Sequence, residues 1–280
     1  MAKFLSKDGK FYMRDGKLLG YIPPPPKASL TPQTGITYTS GLSGIEPSTL
    51  TILAKAISNN ANITSNTNTV YVDYDDIHRK IDVGSQVTIA LNNTDYIFDV
   101  IGFNHDMLTD ANAYSSATAT GKAGITFQMH DMFATEYLMN SSHTNIGGWK
   151  SSTMRTSTMQ RMKGYMPKAW QTAIKPVNKV SGADGSSSSG TEIVSDSCFL
   201  LSEIEIYGST SNSVSGEGMQ YAYYKAGNSK VKKKGGSANY WWERSPASGS
   251  SDSFCIVFGL GNAGTRSAST SYGVAFGFCV

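Results

Sequence analysis

Apolar positions change their period along the chain, and the changes mark out its elements. Leu50, Leu53, Ala54 and Ile57 fall on one face of a 3.6-residue repeat behind Pro47, predicting a helix over residues 47 to about 59. Period-two alternation then predicts strands at Thr69–Tyr74, Gln86–Leu91 and residues 96–103, the last two joined by the turn pair Asn92-Asn93. Met129, Met132, Phe133 and Tyr137 return to helical spacing. Residues 149–163 read as a third helix ended by Gly164 and Pro167, and residues 168–174 as a short fourth. Residues 182–190 (GADGSSSSG) read as a loop, residues 197–201 as a strand, and everything beyond as short strands and glycine-rich turns without helical period. Helices first and an irregular β half afterwards predict an α+β fold with long loops on a compact scaffold.

Four stretches follow from this pattern. In residues 1–22, two Asp-Gly-Lys turns (from Asp8 and Asp15) separate short apolar runs, as in a small hairpin that must dock on something to be stable. Pro23 to Pro26 open a stiff linker over residues 23–35, expected to hold the hairpin at a distance. A helix-containing connecting region covers 36–79, and the main domain covers 80–280.

Composition narrows the function classes. Only 16% of residues are charged, and Ser, Thr, Asn and 28 glycines favour strands and polar loops over packed helices. The net charge of +3 centres on Lys230, Lys232, Lys233 and Lys234 before a Gly235-Gly236 turn, too narrow a basic patch for nucleic acid. No apolar run reaches the roughly 18 residues of a membrane span, and no secretory h-region is visible near Met1, so folding in a cytoplasm is expected. Cys198, Cys255 and Cys279 show no CxxC spacing and read as reduced, buried thiols.

The tail is the most distinctive part. Trp241-Trp242-Glu243-Arg244-Ser245-Pro246, Phe254-Cys255-Ile256-Val257 and residues 273–280 read as buried strands, while residues 247–253 and 258–272 are mostly small. Trp241, Trp242, Phe254, Val257, Val274, Phe276 and Phe278 are expected to form a rigid floor. Glu243 and Arg244 are expected to pair or to bond loop backbone. From Ser245 to Val280 there is no Lys, Glu, Gln, Met, Trp or His.

From about Lys80 onward the chain resembles a domain of unknown function common in phages and gut bacteria. The resemblance rests on Ile101-Gly102-Phe103-Asn104-His105-Asp106, Gly147-Gly148-Trp149, Met154-Arg155-Thr156, Phe199-Leu200-Leu201-Ser202-Glu203-x-Glu205 and Gly216-Glu217-Gly218-x-Gln220-Tyr221-Ala222-Tyr223-Tyr224. Trp242, Arg244-Ser245-Pro246, Gly273-Val274 and the final Phe278-Cys279-Val280 complete it. That domain is similar in its C-terminal half to the C-type-lectin-like fold of formylglycine-generating enzymes and to the adhesins diversified by retroelements. The resemblance implies a fixed scaffold with a varied segment before the last strand. Adenine-directed mutagenesis of AAC codons cannot produce Lys, Glu, Gln, Met or Trp, and position 256 and positions 258–267 hold only reachable residues.

The expected function is therefore a non-enzymatic phage tail or fibre adhesin that recognises a host-cell surface protein or glycan. The N-terminus would attach it to other virion proteins, and the resemblance to phage adhesins implies a homotrimer. The expected ligand-binding residues are Ser248, Ser250, Ser251, Asp252, Ile256, Phe258, Leu260, Asn262, Thr265, Arg266, Ser267 and Tyr272. Large groups among them act as anchors amid small adaptable ones. The alternatives are a virion structural or decoration protein, or an enzyme using Cys255 and Cys279 as a reactive pair. The four histidines lack metal-ligand spacing and no catalytic motif is present. No cofactor is expected; Asp252 and Asn262 are too sparse to make a Ca²⁺ site.

Overall fold

The computed structural model describes residues 10–12 and 18–21 as backbone, and residues 23–185 and 190–280 in full. Strands β1 (Lys10–Tyr12) and β2 (Leu18–Tyr21) pair antiparallel. The turn residues Asp8, Gly9, Asp15 and Gly16 lie outside the described residues, as does the whole serine run, residues 186–189, of the 182–190 loop.

The proline stretch leads directly into a sheet. Strands β3 (Lys27–Ser29) and β4 (Thr39–Ser40) join β5 (Thr69–Tyr74) and β6 (Ile77–Asp82) in the order β3-β5-β6-β4. Residues 27–29, inside the expected 23–35 linker, form an edge strand because they find ladder partners in β5. Helix α1 (Pro47–Ser58) buries Leu50, Leu53, Ala54 and Ile57, the face its periodicity assigned. It docks so closely that a side chain at Gly124 would strike the backbone of Ala54.

Strands β7 (Gln86–Leu91) and β8 (Thr94–Phe103) form the expected hairpin, with Asn92 and Asn93 both left-handed (φ 49° and 66°) as a two-residue turn requires. Strand β9 (Ile125–Met129) follows, then the short β10 (Tyr137–Leu138). The helix expected from Met129 to Tyr137 does not form. Met129 ends a fully buried strand, and the N–H groups of Met132 and Phe133 donate to the carbonyls of Lys233 and Val274 rather than back along their own turn.

Residues 149–163 are helical but broken into α2 (Gly148–Ser151), a π-helical turn (Met154–Thr158) and α3 (Met159–Tyr165). Ser152 is extended, and its hydroxyl donates to the carbonyl of Trp149 and accepts from the N–H of Arg155 across the break. Helix α4 (Lys168–Ala173) leads to β11 (Val177–Gly182), β12 (Thr191–Asp196) and β13 (Cys198–Phe199).

The region expected to lack helices holds two short ones, α5 (Glu203–Tyr207) and α6 (Ala222–Lys225). A capping box between Ser202 and Glu205 starts the first, too short to register as a period. The remaining strands are β14 (Lys232–Lys234), β15 (Ser237–Asn239), β16 (Trp241–Pro246), β17 (Ser253–Val257), β18 (Ala263–Ser267), β19 (Ser271–Tyr272) and β20 (Gly277–Cys279).

The described residues are a mixed fold of small sheets and few helices. The largest sheet has the order β13-β20-β9-β8-β7, so the C-terminal strand lies inside it. Strands β16, β17 and β18 form a separate three-stranded sheet with β18 at its edge. One apolar core runs from Leu42 to Val280, and Ile81 belongs to it. The expected boundary at residue 79/80 thus crosses a shared core.

A buried ion network ties the layers together. Lys179 Nζ reaches Asp106 Oδ1 and Glu205 Oε1, both at 2.7 Å, and Tyr221 Oη at 3.0 Å. Arg244 holds Glu205 with two N–H groups and also donates to the carbonyls of Val180, Leu200 and Glu217. Burial opposes the charge on Asp106, but Lys179 and His105 outweigh it and hold that carboxyl well below its usual range. Burial likewise opposes the charge on Glu205, and Arg244 and Lys179 overcome it and lower that carboxyl. The landmarks Asp106, Glu205, Tyr221 and Arg244 therefore meet in one internal cluster. The expected Glu243–Arg244 pair does not form. Arg244 bonds Glu205 and loop backbone instead, while both oxygens of the fully buried Glu243 have no partner among the described residues.

Candidate functional site

The three-stranded sheet sets the geometry of the site. Register pairs Trp242 with Ile256 and Ile256 with Gly264, while Phe254 pairs with Arg266. Directly opposed residues share a face, so Arg266 and Gly264 lie on the side of Trp242 and Ile256. Thr265 and Ser267 alternate onto the other side.

At the β17–β18 turn the chain folds back over this sheet. Phe258 N–H donates to the Asn262 carbonyl and Gly261 N–H to the Phe258 carbonyl, both at 2.8 Å, with Gly261 left-handed at φ 87°. The Phe258 ring then lies against Gly264, where a methyl group would fall inside van der Waals contact with the ring. Tyr207 Oη on α5 donates to the Gly261 carbonyl at 2.9 Å and pins the tip from below.

On this support sits a stack of rings and one cation. The Arg266 guanidinium lies 4.7 Å from the Phe258 ring centre and 5.5 Å from that of Tyr240. Tyr240 meets Phe258 at 5.0 Å and Tyr272 at 5.8 Å, and Tyr272 meets the buried Trp242 at 5.2 Å. The indole N–H groups of Trp241 and Trp242 are satisfied by the carbonyls of Lys230 and Tyr137. Ala238, Tyr240, Phe258, Gly259, Leu260, Asn262 and Arg266 enclose an open pocket of ≈ 500 Å³. Leu260 stands at its rim, 88% exposed.

The twelve expected residues do not form one rim. Phe258, Leu260, Asn262 and Arg266 share the pocket just described. Ser250 and Ser251 line a second depression with Asn145, Ile146 and Gly185, at the other end of β17. There the loop is clamped: Asn145 Nδ2 donates to the carbonyls of Ser250 and Ser253, and Gly249 N–H donates to Gly185. Ser248 is exposed on this loop. The Asp252 carboxylate accepts from the hydroxyls of Ser250 and Ser253 and faces His143 at 3.2 Å. Thr265 and Ser267 are half-buried on the opposite face, and Tyr272 pairs with Tyr137 between β19 and β10. Ile256 is fully buried beneath Phe258 and Arg266, so it is a floor residue and no contact residue. Alternation could not show this, because Phe254, Cys255, Ile256 and Val257 are all fully buried and both faces of the strand are covered.

Tyr240, Ala238 and Tyr207 complete the site from outside the tail and escaped the sequence reading. Only the position of Tyr240, immediately before the paired tryptophans, hints at its place. The lysine cluster is also divided. Lys232 is buried, donates to the carbonyls of Met129 and His130, and is pushed down to about 8 by burial. Lys234 pairs with Glu136, Lys233 is exposed, and Lys230 lies 5.4 Å over the Tyr207 ring.

Cys255 and Cys279 are both fully buried, and burial, followed by nearby carboxylates, pushes both thiols well up. A nucleophilic thiol needs the opposite shift. Among the described residues no group of three His, Cys, Asp or Glu is placed to hold a metal ion, and no helix is long and apolar enough to cross a membrane.

The model of a family described as a domain of unknown function, DUF6273, matches residues 123–280, more than half of the chain. No curated protein and no solved structure matches.

Proposed function

The chain belongs to the DUF6273 family, and we propose that this member is a ligand-binding protein, a phage tail or fibre adhesin with a C-type-lectin-like domain. Its contact surface is the β17–β18 tip, and its ligand lies on a host cell. One observation carries this reading. Arg266, Phe258, Tyr240 and Leu260 gather around an open pocket on a turn held by Tyr207, with buried tryptophans beneath. Half-buried rings and a cation beside one exposed leucine, all set on a packed floor, are what a binding anchor requires, since little entropy is lost when the ligand arrives.

Exchanging residues 258–267 for another sequence of the same length, with Gly264 kept, is expected to change which bacterial strains the protein binds. Adsorption of labelled protein to a strain panel reads this. Unchanged strain preference would favour a virion decoration protein.

Gly264→Ala tests the geometry alone. The added methyl displaces the Phe258 ring, and Arg266 loses its platform. Cell binding is expected to fall by about tenfold or more, while the near-ultraviolet circular dichroism of the buried tryptophans stays largely intact. Binding at the original level would show that the Phe258–Arg266 stack is not the contact.

A further inference from the structure

The groups around the pocket also define the chemistry of what it takes. Its lining contains no acidic residue among the described residues. Arg266 donates one hydrogen bond, from Nη1 to the carbonyl of its neighbour Thr265 at 2.9 Å, and has no carboxylate partner among the described residues. The Asn262 side-chain amide and the Tyr240 hydroxyl make no hydrogen bond among the described residues. Lys230 flanks Gly261 at the edge of the pocket and is likewise without a carboxylate. The remaining guanidinium N–H groups, the phenol and the amide thus converge above an apolar shelf of Phe258, Leu260 and Ala238.

We propose that this pocket binds an acidic sugar residue of a cell-surface polysaccharide, its carboxylate on Arg266 and its C–H face against Leu260 and Phe258. The inference rests on the binding reading above and names the ligand class of the same site. A planar guanidinium whose face is occupied by a ring offers its edge to a carboxylate in bidentate geometry. The amide and the phenol then face ring hydroxyls, and the apolar shelf takes the C–H face that a sugar ring presents. The pocket volume of ≈ 500 Å³ lies within the roughly 300–1,000 Å³ of small-ligand sites. An acidic peptide would satisfy the cation but leave Asn262 and Tyr240 without their hydroxyl partners. A neutral sugar would leave Arg266 without its counter-charge.

The test uses the full chain and immobilised polysaccharides: polygalacturonate, alginate, hyaluronan and polysialic acid, each beside its carboxyl-reduced form, with polyglutamate as the acidic peptide. Binding of at least one acidic polysaccharide is expected, about tenfold or more above its reduced form, and weakening with salt. Arg266→Gln is expected to abolish that preference, and Arg266→Lys to restore part of it, with the circular dichroism of both matching the parent. Equal binding of acidic and reduced forms, preference for polyglutamate, or no binding to any of the four overturns the acidic-sugar assignment. If the residue 258–267 exchange still redirects strain binding in that case, the adhesin reading stands and only the ligand class falls. If that exchange is also silent, both fall.

Discussion

Arg244→Met is expected to destabilise the protein by about 3–5 kcal/mol, the cost of leaving a buried carboxylate and several carbonyls without their partner. The guanidinium is fully buried. It donates to Val180 (3.0 and 2.8 Å), Leu200 (3.1 Å), Glu217 (2.8 Å) and both oxygens of Glu205 (2.5 and 2.9 Å). Burial works against its charge, but Glu205 overcomes this and keeps it more firmly protonated than usual. Removing it leaves Lys179 as the one cation beside Glu205 among the described residues, and Lys179 must serve Asp106 as well. Arg244→Lys is expected to recover only a fraction, because an ammonium cannot span a carboxylate and three carbonyls in a plane. Thermal unfolding of the three proteins measures this. A loss below about 1 kcal/mol for the methionine variant would mean that the network adds little to the fold. The same network predicts acid sensitivity. Asp106 and Glu205 have lowered values in the fold, so their contribution is present above the ordinary carboxylate range and is lost as pH falls through the lowered values.

Glu243→Met is expected to do the opposite, stabilising the protein by about 1–3 kcal/mol at neutral pH. Glu243 lies fully buried on β16 with both carboxyl oxygens unpartnered. Burial, then Glu203 and Glu217, push it well above its ordinary 4.5, and the opposing pull of Arg244 is smaller. At pH below 4.5 both folded and unfolded chains carry the proton there, and the residue adds no pH dependence. As pH rises past that point the unfolded chain ionises and the folded one does not, so stability drains away up to the raised value. Methionine has similar volume and no proton to lose. The gain over the parent should therefore be larger at pH 8 than at pH 5. Urea unfolding at the two pH values decides it: an equal gain, or a loss, would contradict a neutral, unpartnered Glu243.

Much of the fold was legible in local pattern. The α1 face, the Asn92-Asn93 turn and the strands Thr69–Tyr74 and Gln86–Leu91 are each set by neighbours a few residues apart, and each is found where its period placed it. The Met129–Tyr137 spacing misled because a strand end followed by a loop mimics helical period, and the partners of the Met132 and Phe133 N–H groups lie over a hundred residues away. The pocket was half legible. Phe258, Leu260, Asn262 and Arg266 stand out as polar or bulky residues in a small-residue stretch, whereas Tyr240 and Tyr207 look like ordinary core aromatics.

By itself the sequence determined which strands have an inward face, which turns tolerate a left-handed backbone, and that the tail mixes an apolar floor with small polar residues. These are properties of short segments, where the alternation of side chains is the whole cause. Only the tertiary structure decided that Arg244 partners Glu205 and not its neighbour Glu243, and that Ile256 lies beneath the surface. It also decided that one end of β17 carries an open pocket while the other is clamped by Asn145. Adjacent residues on a strand point to opposite faces, so the partners of each are chosen by whichever distant segment packs against that face.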